Sequence, residues 1–560
     1  MAAKLTWLVF GIVTLGMLGC GGGGGGSGGG TTPAPVTPAS LSGYAATGAA
    51  LAGATVTATC QGGTSTATTT ANGLYSLTAQ GLPCVLTATL GSVSLRSVAP
   101  AGVSTIHISP LTDMAVAYLS GDLPSNAAGN LSALSALITT ANINNAVAAV
   151  STALNTATAG AINLGATNPL THAAFRPSAP GVTQDALDAL IDQLNTRIST
   201  TGQTTLTAIN NALAHMGAGG DNTMINRLLS APPIPNCPAI RNIPYRFVAA
   251  DIGSAYRGLL TPNLTSTGGT FTTSYEGSTT RNGTLTLTAN PCEATITEGT
   301  LSGKAYISSS GVLVYHYTTP TPVIGIAVPA QRLRLADIAG SWNTIEFGRF
   351  SAPLTGWNIA FEEVVYTATG AMSARVCTGT APCGTFVSAT TSYNNTRGGF
   401  VIDNSLTPFI AYAYRSPNGE KMMLMGDQTV IGVMTRNTSM SLPALNSQST
   451  YWDVGTQTTR SGLVSSFTGT NSPEYTNTVT SISGSTVTRN RSDGRVDTVI
   501  YNFPRLGTRH RPAGTYNIGG ITYSFSELIQ TRAMGITFSG NVVTTTNTAV
   551  PFFGMSVDRP

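Results

Sequence analysis

Apolar and small polar residues alternate with a period of two from Leu41 to about Ser109, as in Ala54-Thr55-Val56-Thr57-Ala58-Thr59-Cys60 and Tyr75-Ser76-Leu77-Thr78-Ala79. Successive side chains of a strand point to opposite faces, so this period predicts strands with one buried face. Asn72-Gly73 supplies the positive φ angles of a tight hairpin turn between them. From Ser109 to about Ser230 the period becomes 3.6. Ser109-Pro110 has the order of a helix cap followed by proline at the first helical position, where its missing N–H costs nothing. Leu187, Leu190, Ile191, Leu194 and Ile198 make one apolar stripe, and Leu206, Ile209, Leu213 and Met216 make a second. Two such helices joined at Thr200-Thr201-Gly202 are expected to form an antiparallel hairpin, with Leu131 to Leu154 as an Ala-rich partner. From Arg241 to Pro560 the β pattern returns, with turns expected at Asn282-Gly283 and Asn418-Gly419 and Thr-rich runs that suit barrels or sandwiches.

Within this last region three strings look alike: Pro322-Val323-Ile324-Gly325-Ile326-Ala327-Val328, Val430-Ile431-Gly432-Val433-Met434 and Pro551-Phe552-Phe553-Gly554-Met555-Ser556-Val557. Each follows an aromatic near an early strand, namely Phe247, Trp342 and Trp452, at similar spacing. This spacing hints at three related units. The expected organisation is a leader over 1–19, a tether over 20–40, a small β-sandwich over 41–109, a helical connector over 110–232 and a β-rich region over 241–560 containing two or three barrel-like units.

Composition sharpens the fold class. At roughly 150 residues per domain, 560 residues predict three or four domains. Charged residues are 9% of the chain, against about 25% in ordinary soluble domains. The polar surface must therefore come from Thr, Ser, Asn and Gly, which excludes a charge-rich disordered chain or a coiled coil and favours β structure. The expected class is multidomain and mainly β: a small sandwich, a helical connector, then barrels or sandwiches. A net charge of +4 over this length is too slight to imply a nucleic-acid partner.

The amino terminus carries an address. Lys4 precedes an apolar run from Leu5 to Leu18, shorter than the ~20 residues of a membrane span and laid out as a secretory signal. Met17-Leu18-Gly19-Cys20 resembles the bacterial lipobox. The resemblance implies that Cys20 receives a diacylglycerol and becomes the first mature residue, which anchors the chain to the cell envelope. Gly21 after the cysteine is compatible, in that family, with sorting to the outer membrane. Gly21 to Gly30 is all glycine except Ser27, and Pro33, Pro35 and Pro38 follow, so the stretch is a tether. No Gly-Lys-Ser/Thr ends it, as a phosphate-cradling loop would require. Six cysteines remain, in near pairs: Cys60 with Cys84, Cys237 with Cys292, Cys377 with Cys383. An even remainder in an exported chain predicts three disulfides. Zinc is the rival use, but there is no Cys-x-x-Cys and the five histidines are scattered. No metal site and no cofactor are expected.

The phrase Gly53-Ala54-Thr55-Val56-Thr57-Ala58, followed by Thr68 to Leu77 with Ala71-Asn72-Gly73 inside it, resembles the carboxypeptidase regulatory-like domain, a small transthyretin-like sandwich. The resemblance covers about 70 residues and implies a non-catalytic spacer or adhesive unit. Ala339-Gly340-Ser341-Trp342 resembles the Gly-x-Trp opening of lipocalin-like barrels, and Ala513-Gly514-Thr515-Tyr516 echoes it. That resemblance implies a tryptophan closing one barrel end around an interior able to hold an apolar ligand; the plain alternative is a packed core aromatic.

Catalytic signatures are absent from the sequence. There is no His-Glu-x-x-His helix or Walker loop, and the single Gly-x-Ser-x-Gly match falls in the glycine tether. Glu362-Glu363 should point to opposite faces of a strand, at solvated or edge positions. Asp251, Asp337, Asp403 and Asp453, with His316, are the remaining groups that folding could assemble; His172 and His215 suit surface or cap positions. Arg505, Arg509, His510 and Arg511 are the densest basic cluster, with two readings: a patch for anionic ligands such as phosphates or acidic glycans, or a solvated loop before Pro512. Trp357, Tyr366 and Tyr393 could stack on sugars or fill the core. The leading expectation is a non-enzymatic, membrane-anchored surface protein that binds a protein, glycan or apolar ligand. The alternatives are a lipocalin-like carrier and a structural envelope component.

Overall fold

The computed structural model describes residues 37–200, 205–230, 234–351, 353–403, 409–518 and 521–560. The leader, Cys20 and the glycine tether lie outside them, as does the expected helical joint at Thr201-Gly202. The chain is multidomain and mainly β, and divides into two compact units: residues up to Ala149 with Leu164–Asp192, and Val150–Asn163 with Gln193–Pro560. Among the described residues no helix is long and apolar enough to cross a membrane.

The first unit holds a small sandwich. One sheet has the order Gly63–Thr68, Thr55–Cys60, Cys84–Leu90, Val93–Ala99, and the other pairs Ala39–Tyr44 with Leu74–Ala79. The alternation works as expected: Val56, Ala58 and Cys60 are buried while Thr55 faces solvent. The turn at Asn72-Gly73 differs from expectation. Gly73 does take a positive φ, but the strands on either side belong to different sheets, so the turn is a corner between layers and not a hairpin. Ser109 caps the helix Pro110–Ser120, its hydroxyl accepting from the Thr112 N–H at 3.3 Å. Leu131, Leu134, Ile143 and Val147 pack with Val85 and Val98 of the sandwich and with Val116. Through these larger side chains the Ala-rich stretch joins one apolar cluster with the sandwich. Its helices are Leu131–Leu134 and Thr140–Ala157.

The predicted stripes fall in helices Ala186–Thr200 and Leu206–Gly217, with Leu187, Ile191, Leu194, Ile209 and Leu213 buried. The second unit is dominated by three rings of eight antiparallel strands. The first closes when Val323–Pro329 pairs with Tyr245–Asp251. The second closes when Val430–Arg436 pairs with Gly340–Phe350. In the third, Phe553–Asp558 closes on Gln448–Ser461 through Glu474–Ser483, Thr486–Arg491, Val496–Tyr501, Thr508–Arg511, Leu528–Ala533 and Ile536–Asn541. The three glycine strings occupy the three closing strands, and their glycines oppose Ala249, Glu346 and Gly455 of the opening strands. Asn418-Gly419 is a turn, with Gly419 at positive φ. Asn282-Gly283 is not: it lies inside the strand Thr280–Leu287, where a Cβ on Gly283 would sit 2.2 Å from the Phe271 ring, so the glycine makes room for an aromatic. The echo at Gly514 opens a two-stranded hairpin, Gly514–Ile518 with Ile521–Phe525, and not a barrel.

The largest core lies between barrels. Val314 and Ile324 of the first, Ile345, Phe347 and Trp357 of the second, and Ile529, Phe538, Phe553 and Val557 of the third form one buried cluster. A strand whose outer face joins this core can spend its inner face on other chemistry.

Three disulfides are present: Cys60–Cys84, Cys237–Cys292 and Cys377–Cys383. The last closes a loop of sequence separation 6. Replacing both of its cysteines by alanine is expected to lower stability by about 2 kcal/mol in the chain-entropy model. Urea unfolding of oxidised protein measures this, and an unchanged midpoint would show that the loop is held by other contacts.

Candidate functional site

The inner face of the third barrel is polar. In Thr486–Arg491 the inward positions include Arg489 and Arg491, and in Thr508–Arg511 they are Arg509 and Arg511; Arg495 and Arg532 complete six arginines around a cavity of about 560 Å³. Asp453, Asp497 and Asp558 are the acids of the lining, so arginines outnumber them by three. Val479, Val487, Val499 and Tyr501, with Met440 and Ile482 against them, form a separate apolar cluster in the same barrel. Exposed Leu442 and Val550 also line the cavity.

The arginines differ in how they are held. Arg509 is buried and donates only to neutral acceptors: Nε to Gln530 Oε1 at 2.8 Å, Nη2 to Thr537 Oγ1 at 3.0 Å and Nη1 to Tyr501 Oη at 3.3 Å. Burial pulls its guanidinium down to about 10. Arg511 is pulled down to about 10 by the same cause; it donates to the Ser526 carbonyl at 3.0 Å, lies 3.8 Å from Asp497 and covers the Phe525 ring at 4.4 Å. Arg491 sits 3.8 Å over the Tyr475 ring and pairs with Asp493, Nε to Oδ1 at 2.9 Å. Arg489 Nε and Arg511 Nε are buried with no hydrogen-bond partner among the described residues, and Asn477 Oδ1 is in the same state. An unmet buried polar group costs about 1–3 kcal/mol; the cavity wall thus offers donors at Arg489 and Arg511 and acceptors at Asn477 and Asp497.

Tyr501 reports the resulting field. Burial pushes its phenol up, but Arg509, Arg489 and Arg532 together outweigh burial and leave it below its ordinary value. A cavity that stabilises phenolate favours anions generally. Of the acids, Asp453 accepts from Ser556 Oγ at 2.8 Å and Asp558 is paired with Arg532, while Asp497 lies 3.8 Å from Arg511 with its Oδ1 buried and without a hydrogen-bond partner among the described residues.

The structure divides the basic cluster of the sequence. Arg509 and Arg511 face the cavity. His510, one residue between them, faces the other way and meets Glu527 at 3.0 Å and the Phe503 ring. Arg505 lies elsewhere, donating to Asn343 Oδ1 at 3.3 Å and to Cys383 Sγ at 3.6 Å. The solvated-loop reading is therefore corrected: residues 508–511 are a buried strand. Arg489, Arg491, Arg495 and Arg532 were not singled out from sequence. The signal was there, since Arg489/Arg491 and Arg509/Arg511 each have the spacing of two that puts both on one face of a strand.

The other sequence candidates have structural roles. Glu362 and Glu363 do point to opposite faces, but both are buried, against the expectation of solvated positions. Glu363 accepts from Arg375 at 2.8 Å, while Glu362 shares the inner face of the second barrel with Glu346. Asp251 caps a turn through the Gly253 and Ser254 N–H groups, and Asp337 pairs with Arg334 and Arg415. The side chain of Asp403 lies outside the described residues. His316 is buried between Thr470 Oγ1 at 3.0 Å and Ser472 Oγ at 2.8 Å, and burial lowers it to about 4. His215 is buried 3.8 Å from Asp337, which corrects its surface assignment; His172 is partly exposed beside Asp185. Trp342 is fully buried at the start of the second barrel, donating to the Ile338 carbonyl at 2.8 Å under the Arg436 guanidinium. Trp357 and Tyr366 are core residues, and Tyr393 is half-buried beneath Arg332. No cluster of three or more potential metal ligands occurs among the described residues.

No protein-family model matches the chain. No curated protein matches it either. Among solved structures, the vaccine antigen Transferrin Binding Protein B of Haemophilus parasuis Hp5, as a double mutant, is similar over 55% of this chain and 66% of its own, with 9% identity and a TM-score of 0.20. A single mutant of the same antigen gives 8% identity and a TM-score of 0.20. Intact Ap-TbpB, with N and C lobes, gives 8% identity and a TM-score of 0.19 over 67% of its length. The match to the first two spans just under two thirds of their length.

Proposed function

We propose that this chain is an exported lipoprotein, held to the bacterial envelope through Cys20 and most simply to its outer membrane, that binds a compact anionic ligand inside its third barrel without transforming it. The observation that carries the reading is the excess of arginines over acids around a cavity of about 560 Å³, with the buried Nε atoms of Arg489 and Arg511 lacking partners among the described residues. That volume suits a small ligand, and a guanidinium fork suits phosphate, sulfate or carboxylate oxygens. Asp453 and Asp558 are committed to fixed partners, which leaves those two acids poorly placed as general bases. The sandwich serves as a carboxypeptidase regulatory-like spacer between anchor and barrels. A carrier of apolar ligands is less well supported, because the apolar gap inside the first barrel amounts to about 10 Å³.

Calorimetry on the purified chain with inorganic phosphate, sulfate and citrate, and acetamide as the neutral control, tests the reading. At least one anion is expected to bind, more weakly at 200 mM than at 50 mM salt, and to lose about tenfold or more in affinity on Arg489→Ala with Arg511→Ala. Binding of none of them, or binding indifferent to both substitutions, would refute it.

A further inference from the structure

We propose that the mouth of the first barrel is a second ligand site, for a neutral polyhydroxylated ring of the hexose type. This goes beyond the anion site and does not depend on it. A cavity of about 860 Å³ opens there, separate from the third-barrel chamber. Two of its charged groups are incompletely met. Glu298 is buried in its floor; Oε2 accepts from the Tyr275 hydroxyl at 2.8 Å and the Tyr317 hydroxyl at 3.4 Å, while Oε1 is buried with no partner among the described residues. On the wall, Arg397 gives Nε to Glu276 at 3.0 Å, and its Nη1 is likewise buried without a partner. One cavity therefore asks for a donor at one point and an acceptor at another.

A hydroxyl supplies both functions, and vicinal hydroxyls of a sugar supply them repeatedly. Charge favours a neutral occupant: carboxylates and arginines in the lining number four and three. A flat apolar face is also provided. Arg281 covers the Tyr275 ring at 4.9 Å, but Tyr256, edge-on to Tyr275 at 5.8 Å and fixed by its hydroxyl on Asp251 at 2.7 Å, lines the cavity. The C–H face of a pyranose can lie on such a ring.

Saturation-transfer NMR on the full chain with methyl glucoside, galactoside and mannoside, and with glycine and lysine as zwitterionic comparators, decides the matter. At least one hexoside is expected to bind in preference to the amino acids. Glu298→Gln and Arg397→Ala should each weaken it about tenfold, while Arg559→Ala, at the partly exposed ion pair with Glu474 outside both cavities, leaves it unchanged. Arg397 is partly exposed, so its variant tests the site even if Glu298→Gln fails to fold. The proposal is overturned if no hexoside binds, if the amino acids bind better, or if the Arg397 variant binds as well as the parent. It is equally overturned if a crystal structure grown with the hexosides shows only water on Glu298 Oε1.

Discussion

Glu362→Gln is expected to stabilise the protein at pH 7, by at most about 3 kcal/mol, and to have little effect near pH 4.5. Glu346 and Glu362 lie on the inner face of the second barrel in adjacent strands, where Thr344 opposes Glu362 and Glu346 opposes Ala360. Both are buried, and both oxygens of Glu346 and Oε2 of Glu362 lack hydrogen-bond partners among the described residues. Burial pushes both carboxyls up, and the charge of Glu346 pushes Glu362 further. The folded chain therefore keeps protons that the unfolded chain gives up above 4.5, the ordinary value for glutamate. Stability from these groups is complete below that value and is lost as pH rises through the folded one. An amide keeps the shape and removes the ionisation, so the variant gains only where the parent has lost. Urea unfolding followed by tryptophan fluorescence, with Trp342 and Trp357 in this barrel, measures the difference at both pH values. His316 loses stability as pH falls from 6.5 toward 4, because the unfolded chain takes up the proton first. Parent and variant share that loss, so it cancels. Equal midpoints at pH 7 would mean that the pair is solvated after all.

The sites of correct and incorrect expectation share one cause. Period-two alternation identified strands such as Thr55–Cys60 because one face meets water. It could not assign inside and outside in Ile536–Asn541, where every residue is buried: Ile536 and Phe538 join the core between barrels while Thr537 and Ser539 line the arginine cavity. Polarity inside and apolarity outside is the reverse of the usual barrel, and nothing in a single strand announces it. The closing strands were legible because a glycine recurs at comparable places in each ring. The basic cluster was misjudged because it was weighed by proximity along the chain. Residues 505, 509, 510 and 511 are close in sequence, yet only 509 and 511 share a face. Glu362 looked solvated because a carboxylate rarely goes unpaired into a barrel, which is the departure from rule that marks it as a source of instability.

The same distinction between held and unheld arginines gives opposite expectations for two neighbouring substitutions. Arg509 is tied to Gln530, Thr537 and Tyr501. Arg509→Met leaves these buried polar groups unmet and should cost about 3–5 kcal/mol. Arg489 has a buried Nε with no hydrogen-bond partner among the described residues and is felt by neighbouring arginines as repulsion, since it helps pull Arg509 and Arg511 down. Arg489→Met should therefore leave the empty protein as stable as the parent or raise its stability by about 1 kcal/mol, while anion affinity falls at least tenfold. Thermal unfolding with and without a saturating anion separates the two. In the parent and in Arg509→Met, wherever it folds, the ligand should raise the transition temperature; in Arg489→Met the empty protein should melt no lower, and the ligand increment should shrink toward zero. If Arg489→Met instead destabilises the empty protein as much as Arg509→Met does, Arg489 is a structural residue and the cavity is not organised around a missing anion.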